Sequence, residues 1–226
     1  MNMTTIKGVI FDLDGTLIDS LVAYSMAFNK TVERYNLESI DIRKLTDFLN
    51  QFLSLEEVLK KLYPILKHGD IQEFMVEMKN EFIAFSKDYI TLKPHAREVL
   101  LSLKDQGMKI GIATGRMSKG DGKWRELKNL KIDSFVDTVV TAGETKPKPD
   151  PASLIRCVKL LGLSMDECVF VGDSRADVIA GRSAGIQTIA VHTGVASREQ
   201  LLEEVPDFLI DSLSQLTTHI KNISHG

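Results

Sequence analysis

Four short runs of mainly apolar residues each lead into a cluster of polar residues and glycines. The runs occupy residues 9–11, 110–113, 138–140 and 169–171. Continuous runs of this kind, rich in β-branched residues, are typical of strands buried on both faces of a parallel sheet. Ligands of such sheets bind beyond the carboxyl ends of the strands, so the sequence predicts that the four polar clusters meet in one crevice.

From residue 94 onwards the chain alternates between strand and helix patterns. Helices are predicted from Pro94, near Trp124, from Pro151 and from Arg175, and strands at Lys109, Thr138, Cys168 and Gln187. A proline can occupy the first turn of a helix and a glycine can end one, so Pro94 is expected to begin the first of these helices and Gly107 to end it. This alternation predicts an α/β fold whose core is a doubly wound, Rossmann-like parallel sheet.

The stretch between the first and second runs has a different character. Between Thr16 and Lys93 the chain holds one glycine, one proline and six of the ten phenylalanines, and Ser54-x-x-Glu57 has the form of a helix capping box. Apolar residues at helical spacing predict four helices, near residues 21–36, 41–51, 55–66 and 71–89. We therefore predict an α/β core of residues 1–18 and 91–226, interrupted by a helical domain of residues 19–90.

The polar clusters contain the residues that can carry chemistry. They are Asp12-x-Asp14-Gly15-Thr16, Thr114-Gly115-Arg116, Lys146-Pro147-Lys148-Pro149-Asp150-Pro151 and Gly172-Asp173-Ser174-x-x-Asp177. Two carboxylates and a tight turn directly behind a buried strand favour a reactive site. The alternative is that Asp12 and Asp14 only cap the turn or the next helix, as acidic loop residues often do.

Taken in this order, the four motifs resemble those of the haloacid dehalogenase superfamily of phosphohydrolases, specifically its phosphoglycolate-phosphatase-like branch. The resemblance covers about residues 7–210. It implies that Asp12 is a nucleophile that accepts the phosphoryl group, and that Asp14 serves as general acid and then as general base. It also implies that the helical domain is a mobile cap over the site.

The resemblance further implies a Mg²⁺ ion, which prefers oxygen ligands. Asp12, the backbone carbonyl of Asp14 and Asp173 are the implied ligands, with Asp177 in direct contact with the ion or just behind these ligands. A bound cation would offset the repulsion between carboxylates and an anionic phosphate. Thr114 would donate its hydroxyl group to a phosphoryl oxygen.

A lysine is expected to neutralise charge on the transferring group. Lys146 and Lys148 bracket Pro147, and the family motif places its lysine before the first proline. We therefore predict Lys146 as the catalytic lysine and Lys148 as a solvated loop charge.

Residues 115–122 depart from the family pattern, because relatives usually continue straight into a helix after the threonine. This segment is glycine-rich and polar. One interpretation is a helix that starts late, near Lys123, and we favour it slightly. The other is a flexible loop that meets the substrate through Arg116 or Lys119.

Composition narrows the class of protein. The net charge of -3 offers no basic field for nucleic acid or anionic membranes, and no apolar stretch is long enough to span a bilayer or resembles a signal peptide. Cys157 and Cys168 lack paired metal spacing, so reduced thiols are expected. We expect a cytoplasmic enzyme, a monomer or weak homo-oligomer, that acts on a small phosphorylated metabolite without nucleic-acid or membrane partners.

The substrate is the least constrained property. Core motifs recognise the phosphoryl group, so selectivity must come from cap residues such as Arg43, Lys44 or Asn50. If one cationic cap residue faces the site, an anionic ester such as 2-phosphoglycolate is favoured. A pyrophosphatase or phosphosugar mutase of the same fold remains an alternative, although mutases tend to differ at Thr16. A dehalogenase, which lacks the second aspartate, and a phospho-aspartate signalling or inactive binding module are less favoured.

Overall fold

The computed structural model describes residues 5–51 and 53–225 of the 226-residue chain. The chain divides into two compact units. One contains Ser20–Thr91, and the other, called the core unit here, contains the residues on both sides of that segment.

The core unit is built around a six-stranded parallel sheet. The strands of the chain are β1 (Gly8–Phe11), β2 (Ile18–Asp19), β3 (Thr91–Leu92), β4 (Lys109–Thr114), β5 (Thr138–Thr141), β6 (Cys168–Gly172), β7 (Gln187–Val191) and β8 (Phe208–Ile210). The large sheet has the order β5-β4-β1-β6-β7-β8, while β2 and β3 pair separately. Ile10 of the central strand β1 lies opposite Gly111 on one side and Phe170 on the other. The predicted doubly wound parallel sheet is confirmed.

The helical unit, Ser20–Thr91, has its own hydrophobic core. Its helices are α1 (Leu21–Arg34), α2 (Ile42–Leu49), α3 (Leu55–Leu62) and α4 (His68–Tyr89). The rings of Phe28 and Phe74, both inaccessible to solvent, meet edge to face with their centroids 5.7 Å apart. These aromatic residues fill the helical core, where such pairs add to the free energy of apolar burial.

Two helix ends of this unit differ from the prediction for physical reasons. α3 stops at Leu62 because Tyr63 precedes Pro64, and a residue before proline is driven out of the helical region. α4 starts at His68, three residues earlier than predicted. The carboxylate of Asp70 accepts a hydrogen bond from the backbone N–H of Lys67 (2.8 Å), so Asp70 stabilises the first turn from inside it.

The remaining helices surround the large sheet. They are α5 (Ala96–Asp105), α6 (Arg125–Asn129), α7 (Ala152–Leu161), α8 (Arg175–Ala184), α9 (Arg198–Glu203) and α10 (Leu216–His225). Leu154 and Cys157 of α7 pack with Ile10 and Phe170 in a solvent-inaccessible cluster. Cys157 and Cys168 are both buried free thiols, as expected. In the described ranges 5–51 and 53–225, no helix combines the length and apolarity required to cross a bilayer.

The glycine-rich segment after β4 does not continue directly into an α-helix. A turn of 3-10 helix at Gly120–Trp124 precedes α6, which begins at Arg125. The structure therefore agrees with the interpretation of a late helix start.

Candidate active site

The carboxyl ends of three neighbouring strands bring four polar side chains together. Asp12 follows β1, Thr114 ends β4, Asp173 follows β6, and Asp177 lies in the first turn of α8; all four are buried. One carboxylate oxygen from each of Asp12, Asp173 and Asp177 lies within 4.8 Å of the others. We call these three residues the carboxylate cluster. It exists because parallel neighbouring strands end at the same edge of the sheet.

Asp177 is fixed by the helix that carries it. Its Oδ2 accepts hydrogen bonds from the backbone N–H (3.0 Å) and the hydroxyl (2.6 Å) of Ser174, which caps α8. This reciprocal capping box stabilises the start of the helix and leaves Oδ1 pointing into the carboxylate cluster.

Asp173 fits because two glycines leave space for it. A Cβ atom on Gly15 would lie 2.3 Å from Oδ2 of Asp173, and one on Gly194 would lie 1.5 Å from the same oxygen. Gly15 also has a φ of +93°, which other residues rarely adopt. The hydroxyl of Thr16 donates a hydrogen bond to Oδ1 of Asp173 (2.6 Å). Sequence reasoning missed Gly194, and its position just beyond β7 was the available signal.

The lysine in the cluster is Lys148, which corrects the position predicted for Lys146. The Nζ of Lys148 lies 2.5 Å from Oδ1 of Asp12, contacts Oδ1 of Asp177, and donates to the backbone carbonyl of Ala113 at 3.1 Å. Its side chain is 7% exposed. Lys146 is 81% exposed and pairs loosely with Asp150 at 3.9 Å. The negative charge of buried carboxylates needs a compensating cation, and Lys148 supplies it here.

The electrostatics of the cluster are dominated by burial. Burial, against the opposing effect of Lys148 and with further contributions from Asp177 and Asp14, raises the pKa of Asp12 to about 7. Burial, with Asp12 and Asp177, also raises the pKa of Asp173 well above its ordinary value. Burial alone would lower the pKa of Lys148, but the two carboxylates it contacts hold that pKa above its usual range. Three buried carboxylates therefore share one ammonium group, which favours binding of a further cation.

The side chain of Asp14 lies outside the carboxylate cluster and binds Arg116. The Nε and Nη2 of Arg116 donate to the two oxygens of Asp14 at 2.8 and 2.7 Å, and Nη1 lies 2.8 Å from Oε2 of Glu126. Burial opposes the charge of Arg116, but Asp14 and Glu126 raise its pKa above the ordinary value. No sequence pattern pointed to Glu126. The role implied for Asp14 in metal binding concerns its backbone carbonyl.

The helical unit contains a cavity of its own. It has a volume of about 280 Å³ and is lined by Glu38, Ser39, Ile40, Asp41, Lys44, Leu62 and Tyr63. Of the candidate selectivity residues, Arg43 and Lys44 are exposed on α2, and Asn50 directly follows that helix.

Comparisons with known proteins agree with this geometry. Residues 9–191 match the model of the family described as haloacid dehalogenase-like hydrolase. A pyrophosphatase PpaX of Bacillus cereus is 31% identical over 229 residues, covering 98% of this chain and 99% of that protein. A phosphoglycolate phosphatase of Aquifex aeolicus is 28% identical over 219 residues, covering 95% and 96%.

A solved structure shares the fold. The crystal structure of a predicted phosphoglycolate phosphatase from Haemophilus somnus has a TM-score of 0.87 and 22% identity, covering 96% of this chain and 99% of that one. The motif residues from Asp12 to Asp177 lie inside the segment that the family model matches. The chain therefore belongs to the haloacid dehalogenase-like hydrolase family.

Proposed function

We propose that this protein is a Mg²⁺-dependent phosphohydrolase that acts on a small anionic phosphate compound through an aspartyl-phosphate at Asp12. The observation that carries the proposal is the position of Asp12. It is buried directly beyond the central strand, with Lys148 2.5 Å away and Asp173 and Asp177 beside it. Such a carboxylate can act as a nucleophile, and the covalent intermediate that it forms splits one difficult reaction into two easier steps.

The donor set fits Mg²⁺. Asp12, Asp173 and Asp177 present oxygen atoms within 4.8 Å of one another, and oxygen is the ligand this ion prefers. These residues would hold the ion, together with the backbone carbonyl of Asp14 implied by the family resemblance. A bound ion would supply positive charge that stabilises the phosphoryl oxygens.

The first step transfers the phosphoryl group. A carboxylate oxygen of Asp12 attacks phosphorus, the bond from phosphorus to the leaving oxygen breaks, and Asp14 gives that oxygen a proton. The ammonium group of Lys148 offsets negative charge on the transferring group, the role first assigned to Lys146. The hydroxyl of Thr114 accepts a hydrogen bond from the backbone N–H of Arg116 (3.3 Å), and we propose that it donates its own proton to a phosphoryl oxygen.

The second step releases inorganic phosphate. Water attacks the phosphorus atom and gives a proton to the carboxylate of Asp14, and the bond between phosphorus and Asp12 breaks. Asp12 returns as a carboxylate and Asp14 as the protonated acid, so the residues are ready for another turnover.

Two substrates merit direct comparison. Relatives at 30–31% identity are named pyrophosphatases, and one at 28% is named a phosphoglycolate phosphatase. Both names imply a second anionic group beside the phosphoryl group, which a cationic side chain could recognise. We propose an anionic substrate of this kind, with pyrophosphate and 2-phosphoglycolate as the first candidates.

A phosphate-release assay on a panel of compounds tests the proposal. The panel contains pyrophosphate, 2-phosphoglycolate and neutral sugar phosphates, each measured as kcat/KM with Mg²⁺ and with EDTA. We expect release that requires the divalent ion and favours an anionic substrate. Undiminished release in EDTA would contradict the metal dependence. A preference for sugar phosphates would contradict the substrate class, and isomerisation of sugar phosphates without phosphate release would favour a mutase.

A further inference from the structure

Arg116 is directed towards two protein carboxylates. Its Nε and Nη2 face Asp14, and its Nη1 faces Glu126. The guanidinium group is a rigid planar fork, so two parallel hydrogen bonds fix the plane as well as the position of a carboxylate. This geometry favours a role of Arg116 towards Asp14 over the direct substrate contact considered from the sequence.

The three side chains of this ion-pair network differ in their exposure to solvent. The side chains of Glu126, Arg116 and Asp14 are 8%, 15% and 33% exposed, respectively. Glu126 is thus the buried anchor, and Asp14 is the end that solvent and substrate can reach. A carboxylate that is one-third exposed would sample several rotamers without such a partner.

The segment that carries Arg116 is itself fastened to the sheet. The hydroxyl of Thr141, at the end of β5, donates a hydrogen bond to the backbone carbonyl of Ser118 (2.6 Å). A Cβ atom on Gly143 would lie 2.5 Å from the carbonyl oxygen of Met117, so the two backbone segments are in close contact. The segment between β4 and α6 is therefore held against the end of β5, and it fixes the position of Arg116.

We infer that Arg116, anchored by Glu126, is a positioning residue that holds the carboxyl group of Asp14 for proton transfer to the leaving oxygen. Protonated Asp14 would keep one hydrogen bond from Arg116 on its carbonyl oxygen while its other oxygen carries the proton to be donated. The inference rests on the proposed function, because it assumes that Asp14 is the proton donor. It predicts that loss of Arg116 weakens proton transfer in particular, while Mg²⁺ binding and attack by Asp12 persist.

Leaving-group dependence tests this inference. We would measure kcat/KM, which reports the steps up to formation of the aspartyl-phosphate, with p-nitrophenyl phosphate and with an alkyl phosphate. The first leaving group departs without a proton, and the second requires one. For the alkyl ester we expect R116M to lose about 10- to 100-fold, as part of the full effect of proton transfer. We expect little loss with the aryl ester.

Four further variants complete the experiment. D14N measures the full effect of removing the proton donor, and we expect its kcat/KM to fall by about 10²- to 10⁴-fold with the alkyl ester alone. R116K keeps the positive charge without the planar fork and should fall between wild type and R116M. The double variant D14N/R116M should lose no more than D14N, because both changes remove one function. R125M, which removes an exposed arginine of α6, should match wild type.

The outcomes separate the two proposals. If D14N shows no selective loss with the alkyl ester, Asp14 is not the acid, and both the proposed mechanism and this inference fail. If D14N is selective but R116M and R116K behave like wild type, or lose equally on both esters, the inference about Arg116 alone is overturned. Mg²⁺ titration and thermal melting of each variant identify any general loss of folding.

Discussion

At the residue scale, the site depends on one ammonium group between two carboxylates. The Nζ of Lys148 contacts both Asp12 and Asp177, and it lies 5.4 Å from the centroid of the Phe170 ring. Without this cation, the buried carboxylates would repel one another and an arriving phosphate. Lys148 therefore links the stability of the metal-free site to its ability to accept an anion.

Replacing Lys148 by methionine should lower kcat/KM for phosphate release by about 10²- to 10³-fold, since removal of one preorganised charge from an active site typically costs this much. Lys146→Met is the matched control, because the side chain of Lys146 is 81% exposed and its nearest acidic partner is 3.9 Å away. We expect that variant to match wild type. Steady-state kinetics of the two purified variants would contradict our assignment if Lys146→Met were the impaired one.

The sequence alone could not choose between these lysines. They stand two positions apart around Pro147, so the same motif presents two cations, and the direction of each depends on the path of the loop. Asp12, Asp173 and Thr114 were easier to place, because each lies directly at the end of a strand with a clear apolar pattern. Glu126 gave no signal, since a single acid in a polar segment is usually solvated.

At the element scale, tight turns and helix caps determine how precisely the side chains meet. The turn after β7 brings Gly194 against Asp173, and the hydroxyl of Thr193 donates a hydrogen bond to the carbonyl of Gly15 (2.8 Å). The turns after β1 and β7 thus hold each other and enclose Asp173. Helix and strand types could be predicted from apolar spacing, whereas a contact between two distant turns has no local pattern.

Replacing Gly194 by alanine should displace Asp173, because the added Cβ would lie 1.5 Å from its carboxylate. We expect the affinity for Mg²⁺ to fall by about 10- to 100-fold, as is usual when the support of a metal ligand is lost. Gly69→Ala is the control, since a Cβ there meets no atom within 4 Å. Isothermal titration with Mg²⁺ measures the effect, and an unchanged affinity in Gly194→Ala would contradict the enclosure of Asp173.

At the scale of the whole molecule, one sheet topology joins residues that are far apart in sequence. The order β5-β4-β1-β6-β7-β8 places the ends of β4 and β6 on either side of β1. Asp12, Thr114 and Asp173 therefore become neighbours, which the sequence pattern predicted. The residues that select the substrate could not be predicted, because no motif in the sequence marks them.

The high pKa values of Asp12 and Asp173 predict a pH dependence of metal binding. With a pKa of about 7 for Asp12, the folded metal-free protein keeps a proton that the unfolded chain releases near pH 4. The stability of the metal-free protein therefore falls as the pH rises from about 4 to about 7. Mg²⁺ must displace these protons, so its affinity should increase up to and beyond pH 7. Thermal melting should show a larger Mg²⁺-induced rise in Tm at pH 8 than at pH 6.

The variant Asp173→Asn provides the control for this pH dependence. It removes one carboxylate of the cluster, so we expect little Mg²⁺-induced rise in Tm at either pH. An equal rise at pH 6 and pH 8 in the wild-type protein would show that protons and metal do not compete at these carboxylates.

Trapping the phosphorylated enzyme tests the central claim most directly. The protein would be mixed with Mg²⁺ and p-nitrophenyl phosphate, quenched in acid within milliseconds, and digested for peptide mass spectrometry. We predict a phosphoryl group on Asp12 and conversion of the phosphorylated Asp12 to homoserine by borohydride reduction. In Asp12→Asn the phosphoryl group should be absent. Phosphate release at the wild-type rate by Asp12→Asn, or a phosphoryl group on a different residue, would contradict the account.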